Sequence, residues 1–431
     1  METQLFKSVK AIFMKESFDF TCSNIDLYNF HPQLRIFIIP MGIFFNNPNS
    51  TLRYIWPFVS VSLSIIACTI EGMSALHFFQ IQNYAIATEC FCYCLLLGVI
   101  PFIYISTILG KSQVIKLIND MNNDFLFISK LGSRYRDRFL NGQLLIWQLC
   151  LTWLCFTAMI AVMYPLMTSV YLLYVSIFIT QDEHQVRPLM FSMWLPKDDP
   201  YRTPNYEIFF ILETNYCILY VQSFVVYVYI LFHVMLHNYY LLDMILLDFE
   251  MLFDGLDETT ATLPRHDSRR IAVQMTLNNR IKRIATWHQS VFNSIASMSS
   301  VLGPPLVYQV VFSGIAICLI AYQVVEKLGA GTLDLFFSML LIAAIIQLWI
   351  PCFIGTVLRD KAFEVADAAW NCGWHETALG RLVRLDLLII ILRAQQPLSI
   401  KFIGLQNVAL ETFSSNMSSA YTYFNMLRQY N

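Results

Sequence analysis

Long apolar runs, separated by shorter polar stretches, dominate the pattern along this chain. Seven runs are long enough to cross a membrane as helices, given a rise of about 1.5 Å per residue and an apolar membrane core of about 30 Å. These runs cover residues 54–79, 84–109, 141–168, 209–236, 295–325, 333–358 and 402–427. The pattern therefore predicts an all-α membrane protein with seven transmembrane helices.

The last of these runs carries a polar stripe. One face of a helix would hold Glu411, Ser415, Ser418, Thr422, Asn425 and Gln429, which follow each other at steps of three and four. The opposite face would hold Leu410, Phe413, Met417, Tyr421 and Phe424. Polar groups inside a bilayer are costly unless they face water or other polar groups. The stripe indicates either a helix that lines an ion pathway or a helix–helix contact with small Ser and Thr side chains, and alone it slightly favours the contact.

Composition excludes several classes of protein. With 57% hydrophobic and 13% charged residues, the chain is not a soluble enzyme, and a net charge of −2 does not suggest a nucleic-acid partner. It has no glycine-rich phosphate loop. His233 and His237 lack the acidic base of a zinc protease, and Cys372 with His375 is too small a set for a structural zinc site. We expect no enzyme activity, no catalytic residue, no metal and no cofactor.

The distribution of positive charge predicts the orientation. Of 28 Lys and Arg residues, all but five lie before the first run or in every second connection. The exceptions are Arg187, Lys197, Arg202, Lys327 and Arg428. Because positive residues favour the cytoplasmic side, the N-terminus is expected inside the cell and the C-terminus outside. This inverted topology argues against a G-protein-coupled receptor. The lack of an internal repeat argues against a transporter.

The C-terminal third resembles the insect odorant receptors. The resemblance is carried by NCGW at 371–374, RLVRLDLLIIILRAQQPL at 381–398 and AYTYFNMLR at 420–428. WLP at 194–196 and PNYEI at 204–208 add to it, and the seven-run layout is similar throughout. The resemblance implies an odorant- or pheromone-gated, non-selective cation channel in the plasma membrane of olfactory sensory neurons.

The resemblance also implies partners and a division of the chain. A tuning subunit of this family forms a heterotetramer with the shared odorant co-receptor, embedded in membrane lipid. The short second cytoplasmic block favours a tuning subunit. The expected parts are a cytoplasmic segment (1–53), a ligand-binding bundle of four helices (54–236) with an outer loop (163–205), cytoplasmic helical extensions (237–294), two further transmembrane helices (295–358), a cytoplasmic anchor (359–401) and a pore-lining helix (402–431).

Two sets of site residues follow from the resemblance. The hydrophobic gate corresponds to Met426 and Tyr430, with Thr422 on the same helical edge, Asn425 and Gln429 beside it, and Ser415 and Ser418 further along the stripe. The terminal Tyr430 is alternatively an interfacial aromatic residue.

The second set should bind a volatile, lipophilic ligand in the outer half of the bundle, by apolar contact with a few polar groups. It comprises Tyr84, Thr88, Phe91, Phe156, Met159, Met163, Phe210, Glu213, Thr214, Cys217, Tyr322, Phe336 and Phe337. For each of these residues, core packing or contact with lipid is the alternative. For the whole chain, the alternatives are a metabotropic seven-helix chemoreceptor and a gustatory-type channel of the same superfamily.

The predicted orientation can be tested at Asn49, which begins the formal glycosylation sequence Asn49-Ser50-Thr51. A cytoplasmic Asn49 stays unmodified, so glycosidase treatment should leave the mass of this region unchanged. A glycosylation sequence engineered into the outer loop serves as the positive control. Glycan on Asn49 would overturn the inverted topology and favour the G-protein-coupled alternative.

Overall fold

The computed structural model describes residues 4–22, 24–45, 47, 49–178, 187, 189–332, 334–396, 398 and 408–430. Within these ranges every regular element is helical. The α-helices are α1 (Gln4–Met14), α2 (Leu27–Phe30), α3 (Gln33–Ile38), α4 (Ile55–Gln80), α5 (Tyr84–Leu109), α6 (Lys111–Ile128), α7 (Ser133–Phe178), α8 (Asn205–Tyr220), α9 (Val226–Glu250), α10 (Ser268–Gly329), α11 (Leu335–Asn371), α12 (Arg384–Ala394) and α13 (Leu410–Tyr430).

Six helical runs among the described residues are long and apolar enough to cross a membrane. They are Thr51–Gln80, Tyr84–Leu109, Ser133–Tyr174, Asn205–Glu250, Ser268–Gly329 and Leu335–Asn371. The prediction of an all-α membrane protein is therefore confirmed. Helix α13 is the seventh predicted span, but its polar stripe keeps it out of this set. Residues 402–407 of that span lie outside the described residues, and its membrane crossing stays a prediction, as does the inverted topology.

Helix α7 continues past residue 163, where the outer loop was predicted to start. Helix α7 runs for 46 residues to Phe178, with Pro165 inside it. A proline removes only one backbone hydrogen bond, and the apolar sequence continues beyond it. Val170, Leu173 and Ile177 are all exposed, as expected for side chains that face lipid. The connection between α7 and α8 is therefore shorter than predicted.

Helix α9 forms the centre of the fold. It follows α8 through a single π-helical turn, Val221–Val225, and it is buried over most of its length. A helix that is apolar all round is a core helix, and α9 packs against α7, α10 and α11. It continues past the predicted membrane boundary at Leu236 without interruption.

Two aspartates on α9 bind cationic side chains from three other helices. The carboxylate of Asp248 is completely buried, and it accepts hydrogen bonds from Nε of Arg283 on α10 (2.8 Å) and from the hydroxyl of Tyr135 on α7. One turn earlier, Asp243 accepts from Nε of Arg138 on α7 (2.7 Å) and contacts Nζ of Lys361 on α11 (3.3 Å). These contacts join α7, α9, α10 and α11 at one end of the bundle. We call it the basic end, after Arg138, Arg283 and Lys361.

The N-terminal segment docks at this basic end. Nε1 of Trp147 on α7 donates to the carbonyl oxygen of Ile12 at 3.1 Å. Nζ of Lys15 lies 3.8 Å from the centre of the Trp147 ring and donates to the carbonyl oxygen of Phe30. Burial lowers the pKa of Lys15 to about 8. The segment is thus part of the packed bundle.

A series of hydrogen bonds between polar side chains also connects the N-terminal segment to α7, α9 and α6. Nε2 of His31 donates to Gln143 on α7, whose amide donates to Nδ1 of His237 on α9, each at 3.3 Å. Nε2 of His237 in turn donates to Asp124 on α6, also at 3.3 Å. His237 on α9 therefore connects α7 with α6. Its spacing from His233 did not indicate this role.

The opposite end of the bundle is closed by residues 189–194. The amide of Met190 donates to Oε2 of Glu213 on α8 (2.8 Å), and the amide of Trp194 donates to the hydroxyl of Ser74 on α4 (2.9 Å). The Trp194 ring also stacks on His77, with ring centres 3.9 Å apart. This segment fills the mouth of the bundle between α4 and α8.

We expect Asp248→Ala to destabilise the protein, because it leaves Arg283 and Tyr135 without their buried acceptor. Breaking a buried pair costs about 3–5 kcal/mol, and the lower value applies here because the Arg283 side chain is 25% exposed. The midpoint of thermal unfolding in detergent should fall by several degrees. The control is Asp360→Ala, which removes a surface pair worth less than about 1 kcal/mol. Equal midpoints for the two variants would contradict a structural role for Asp248.

We expect Glu213→Ala to release residues 189–194, because the Met190 amide loses its acceptor. Amide hydrogen exchange of this segment should become faster. Glu213→Gln keeps an acceptor oxygen and should retain the protection, while Glu207→Ala removes an exposed carboxylate paired with Arg187 and serves as the matched control. Unchanged exchange in Glu213→Ala would show that this hydrogen bond does not hold the segment.

Candidate functional site

A cavity of about 120 Å³ lies inside the bundle, bordered by α5, α7, α8, the π-helical turn Val221–Val225 and α11. Its wall is mainly aromatic and aliphatic, and Phe191 of the 189–194 segment forms part of it. The aromatic lining residues are Tyr93, Trp153, Phe191, Tyr216, Tyr220, Phe224 and Phe336. An apolar cavity on the order of 150 Å³ holds benzene in another protein, so this one suits a small lipophilic molecule.

The π-helical turn forms one wall of the cavity. Such turns carry one residue more than an α-helical turn and are frequent at functional sites. Here the turn contains Phe224, which stacks on Tyr220 with ring centres 5.1 Å apart. These two rings also border a second cavity of about 60 Å³, so they stand between the two spaces.

The second cavity extends to α10, where Tyr308, Phe312 and Ile317 line it. The same stretch of α10 packs against α13. At Gly314 an added Cβ would lie 3.4 Å from the carbonyl oxygen of Asn416, which shows how closely the two helices approach. Helix α10 therefore lies between the cavities and α13.

Helix α13 packs on one side and is open on the other. Its packed side carries Phe413, Met417, Ala420 and Leu427. Its open side carries Ser415, Ser418, Thr422, Met426 and Gln429, with Asn425 partly buried beside them. The side chain of Tyr430 lies outside the described residues. The predicted pore residues whose side chains are described thus lie on the open side or at its edge, and Met426 is 52% exposed.

Tyr421, which the sequence pattern places on the face opposite the polar stripe, is 68% exposed. The packed face of α13 contains Met417, Ala420 and Phe424, which follow each other at steps of three and four. Tyr421 comes directly after Ala420 and therefore points about 100° away from it. The beginning of α13 is held by α11, where the hydroxyl of Thr356 accepts from the Leu410 amide at 3.0 Å.

Of the predicted ligand-binding residues, Cys217 and Phe336 line the first cavity. The others lie elsewhere in the bundle, and their contact with a ligand stays a prediction. Phe156, Met163, Phe210 and Thr214 are partly buried; Tyr84, Phe91 and Met159 are exposed; Glu213, Tyr322 and Phe337 are buried; and Thr88 accepts a hydrogen bond from Gln323 at 2.7 Å.

The cavity lies about one to two helical turns deeper than the predicted site on α5, α8 and α11. The prediction placed the site next to the helix ends, whereas the 189–194 segment occupies that level and Glu213 serves to hold it. The sequence contains a signal for this arrangement. Met190, Phe191 and Met193 are apolar residues within a predicted loop, and all three are buried.

Comparison with known proteins assigns the family. The pattern described as 7tm odorant receptor matches residues 83–421. Odorant receptor 10 of Aedes albopictus is 24% identical over 252 residues, which cover 57% of this chain and 61% of that protein. Odorant receptor 85f of Drosophila melanogaster is 30% identical over 133 residues, which cover 31% of this chain and 33% of that protein. The matches thus span about one third to three fifths of the relatives' own length.

A solved structure shows the same fold. The insect olfactory receptor OR5 from Machilis hrabei, in complex with eugenol, superposes with a TM-score of 0.73 at 17% identity, covering 94% of this chain and 99% of that chain. The helical bundle, the internal cavity and the family pattern over residues 83–421 lead to one conclusion. The chain belongs to the 7tm odorant receptor family.

Proposed function

We propose that this protein is the tuning subunit of an odorant-gated, non-selective cation channel. In this proposal it forms a heterotetramer with the odorant co-receptor in the plasma membrane of olfactory sensory neurons, with the basic end in the cytoplasm. The observation that carries the proposal is the open polar face of α13, on a helix whose opposite face is packed against the rest of the chain.

An open polar face needs a polar environment if α13 crosses the bilayer. Ser415, Ser418 and Thr422 would each be costly against lipid tails. Four such helices around a common axis would place these side chains against a water-filled pore. The neighbouring Met426 would then narrow the pore with an apolar side chain, which blocks ions by excluding water.

The positions of the cavities support gating by a bound odorant. The relative from Machilis hrabei was solved with eugenol, which supports a small organic ligand for this chain. A ligand in the first cavity presses on Tyr220 and Phe224, which adjoin the second cavity and through it α10. Because packed interiors transmit small displacements, a shift of α10 would reach α13 at Gly314 and Asn416.

The proposal predicts that Met426→Ser raises the current in the absence of odorant by several-fold, because a polar side chain lets water enter the closed gate. Currents are recorded in excised patches without GTP, at matched surface expression and with the co-receptor present. Leu427→Ser is the matched control, since Leu427 packs against the core and its loss should reduce folding or assembly and leave gating unchanged.

Two outcomes would contradict the proposal. Odorant-evoked current that disappears whenever GTP is removed would indicate a metabotropic receptor. Unchanged basal current and ion selectivity in Met426→Ser would show that this edge of α13 does not form the gate.

A further inference from the structure

Two residues that line the first cavity carry buried polar side-chain atoms without a hydrogen-bond partner among the described residues. These atoms are Nε1 of Trp153 on α7 and the hydroxyl of Tyr216 on α8. The two residues are only 5% and 4% exposed. Water outside the bundle therefore does not reach them.

Unpaired donors of this kind are unusual. Most buried polar atoms in proteins have a partner, because a donor taken from water without compensation destabilises the fold. The indole N–H can only donate, whereas the tyrosine hydroxyl can donate or accept. Both residues therefore have a donor available for an acceptor group.

The other polar groups of the wall differ from these two. The hydroxyl of Thr157 already donates to the carbonyl oxygen of Trp153 at 2.8 Å. Gln347 is only partly buried, and its main-chain carbonyl accepts from Nε2 of Gln309 at 3.1 Å. Tyr93, Tyr220 and Cys217 also line the wall, and the remaining lining residues are apolar. Trp153 and Tyr216 thus stand out as lining residues whose buried polar atoms have no partner among the described residues.

We propose that this cavity selects small lipophiles that carry a hydrogen-bond-accepting oxygen over hydrocarbons of the same shape. The inference rests on the proposed odorant-receptor function and deepens it by naming the ligand class: ketones, aldehydes, esters and ethers. A carbonyl or ether oxygen has lone pairs and no donor of its own, so it supplies the acceptor that these donors lack. The rest of the ligand contacts the aromatic wall.

The preference can be measured with pairs of probes that differ only in the acceptor. Cyclohexanone and methylenecyclohexane have the same shape, with a C=O group in one and a C=CH₂ group in the other. Acetophenone and α-methylstyrene form a second, larger pair. Apparent Kd values come from the ligand dependence of thermal unfolding, using the full chain purified with the co-receptor.

We expect the wild-type protein to bind each ketone about tenfold more tightly than its hydrocarbon, the order expected for one or two net hydrogen bonds. Trp153→Phe and Tyr216→Phe should each reduce this ratio, and the double variant should bring it to about one. Phe336→Leu is the matched control, because it changes only the apolar wall and should weaken both members of a pair equally.

Equal affinities within each pair in the wild-type protein would overturn the inference, since they would mean that a retained water molecule satisfies the donors. A ketone preference that persists in the double variant would overturn the assignment to these two residues. Failure of the variants to fold would do the same, because removing unpaired donors should leave the unliganded protein stable.

The test also separates the inference from the proposed function. Lack of binding by every probe would contradict the cavity as an odorant site, and the inference with it. A ketone preference without any odorant-evoked current would support the inference and contradict the channel function.

Discussion

The ion pairs of two carboxylates on α9, one buried and one partly buried, are the contacts on which the rest of the structure depends. Asp248 and Asp243 reach α7, α10 and α11 through Arg283, Arg138 and Lys361. Within lipid, helices gain little from burying apolar side chains, because lipid tails are equally apolar. Charged hydrogen bonds are directional and fix which helices are neighbours. The shape of the internal cavity, which α7 and α11 line, follows from that arrangement.

The helices could be predicted from the sequence because each long apolar run has a single solution inside a bilayer, namely a helix that satisfies its own backbone. The depth of the cavity could not. It depends on the 189–194 segment, whose position is set by contacts with Glu213 and Ser74 that are distant in sequence. Periodicity shows that Phe191 is apolar within a polar stretch. Periodicity does not show which helices Phe191 packs against.

The polar stripe of α13 illustrates what the structure adds to a pattern. The sequence leaves two interpretations open, a helix–helix contact and an ion pathway. In the described residues, Phe413, Met417 and Leu427 face the chain's own core, while Ser415, Ser418 and Thr422 are exposed. The stripe therefore does not pack within this subunit.

The π-helical turn at Val221–Val225 affects how this receptor is compared with others. One extra residue in a helix normally rotates everything beyond it by about 100°. In this chain the turn absorbs that residue, so Tyr216 and Cys217 on one side and Val225 on the other all reach the same cavity. A relative without the turn needs a one-residue gap at this point in an alignment. Without that gap, residue roles transferred between receptors would be displaced by one position along all of α9.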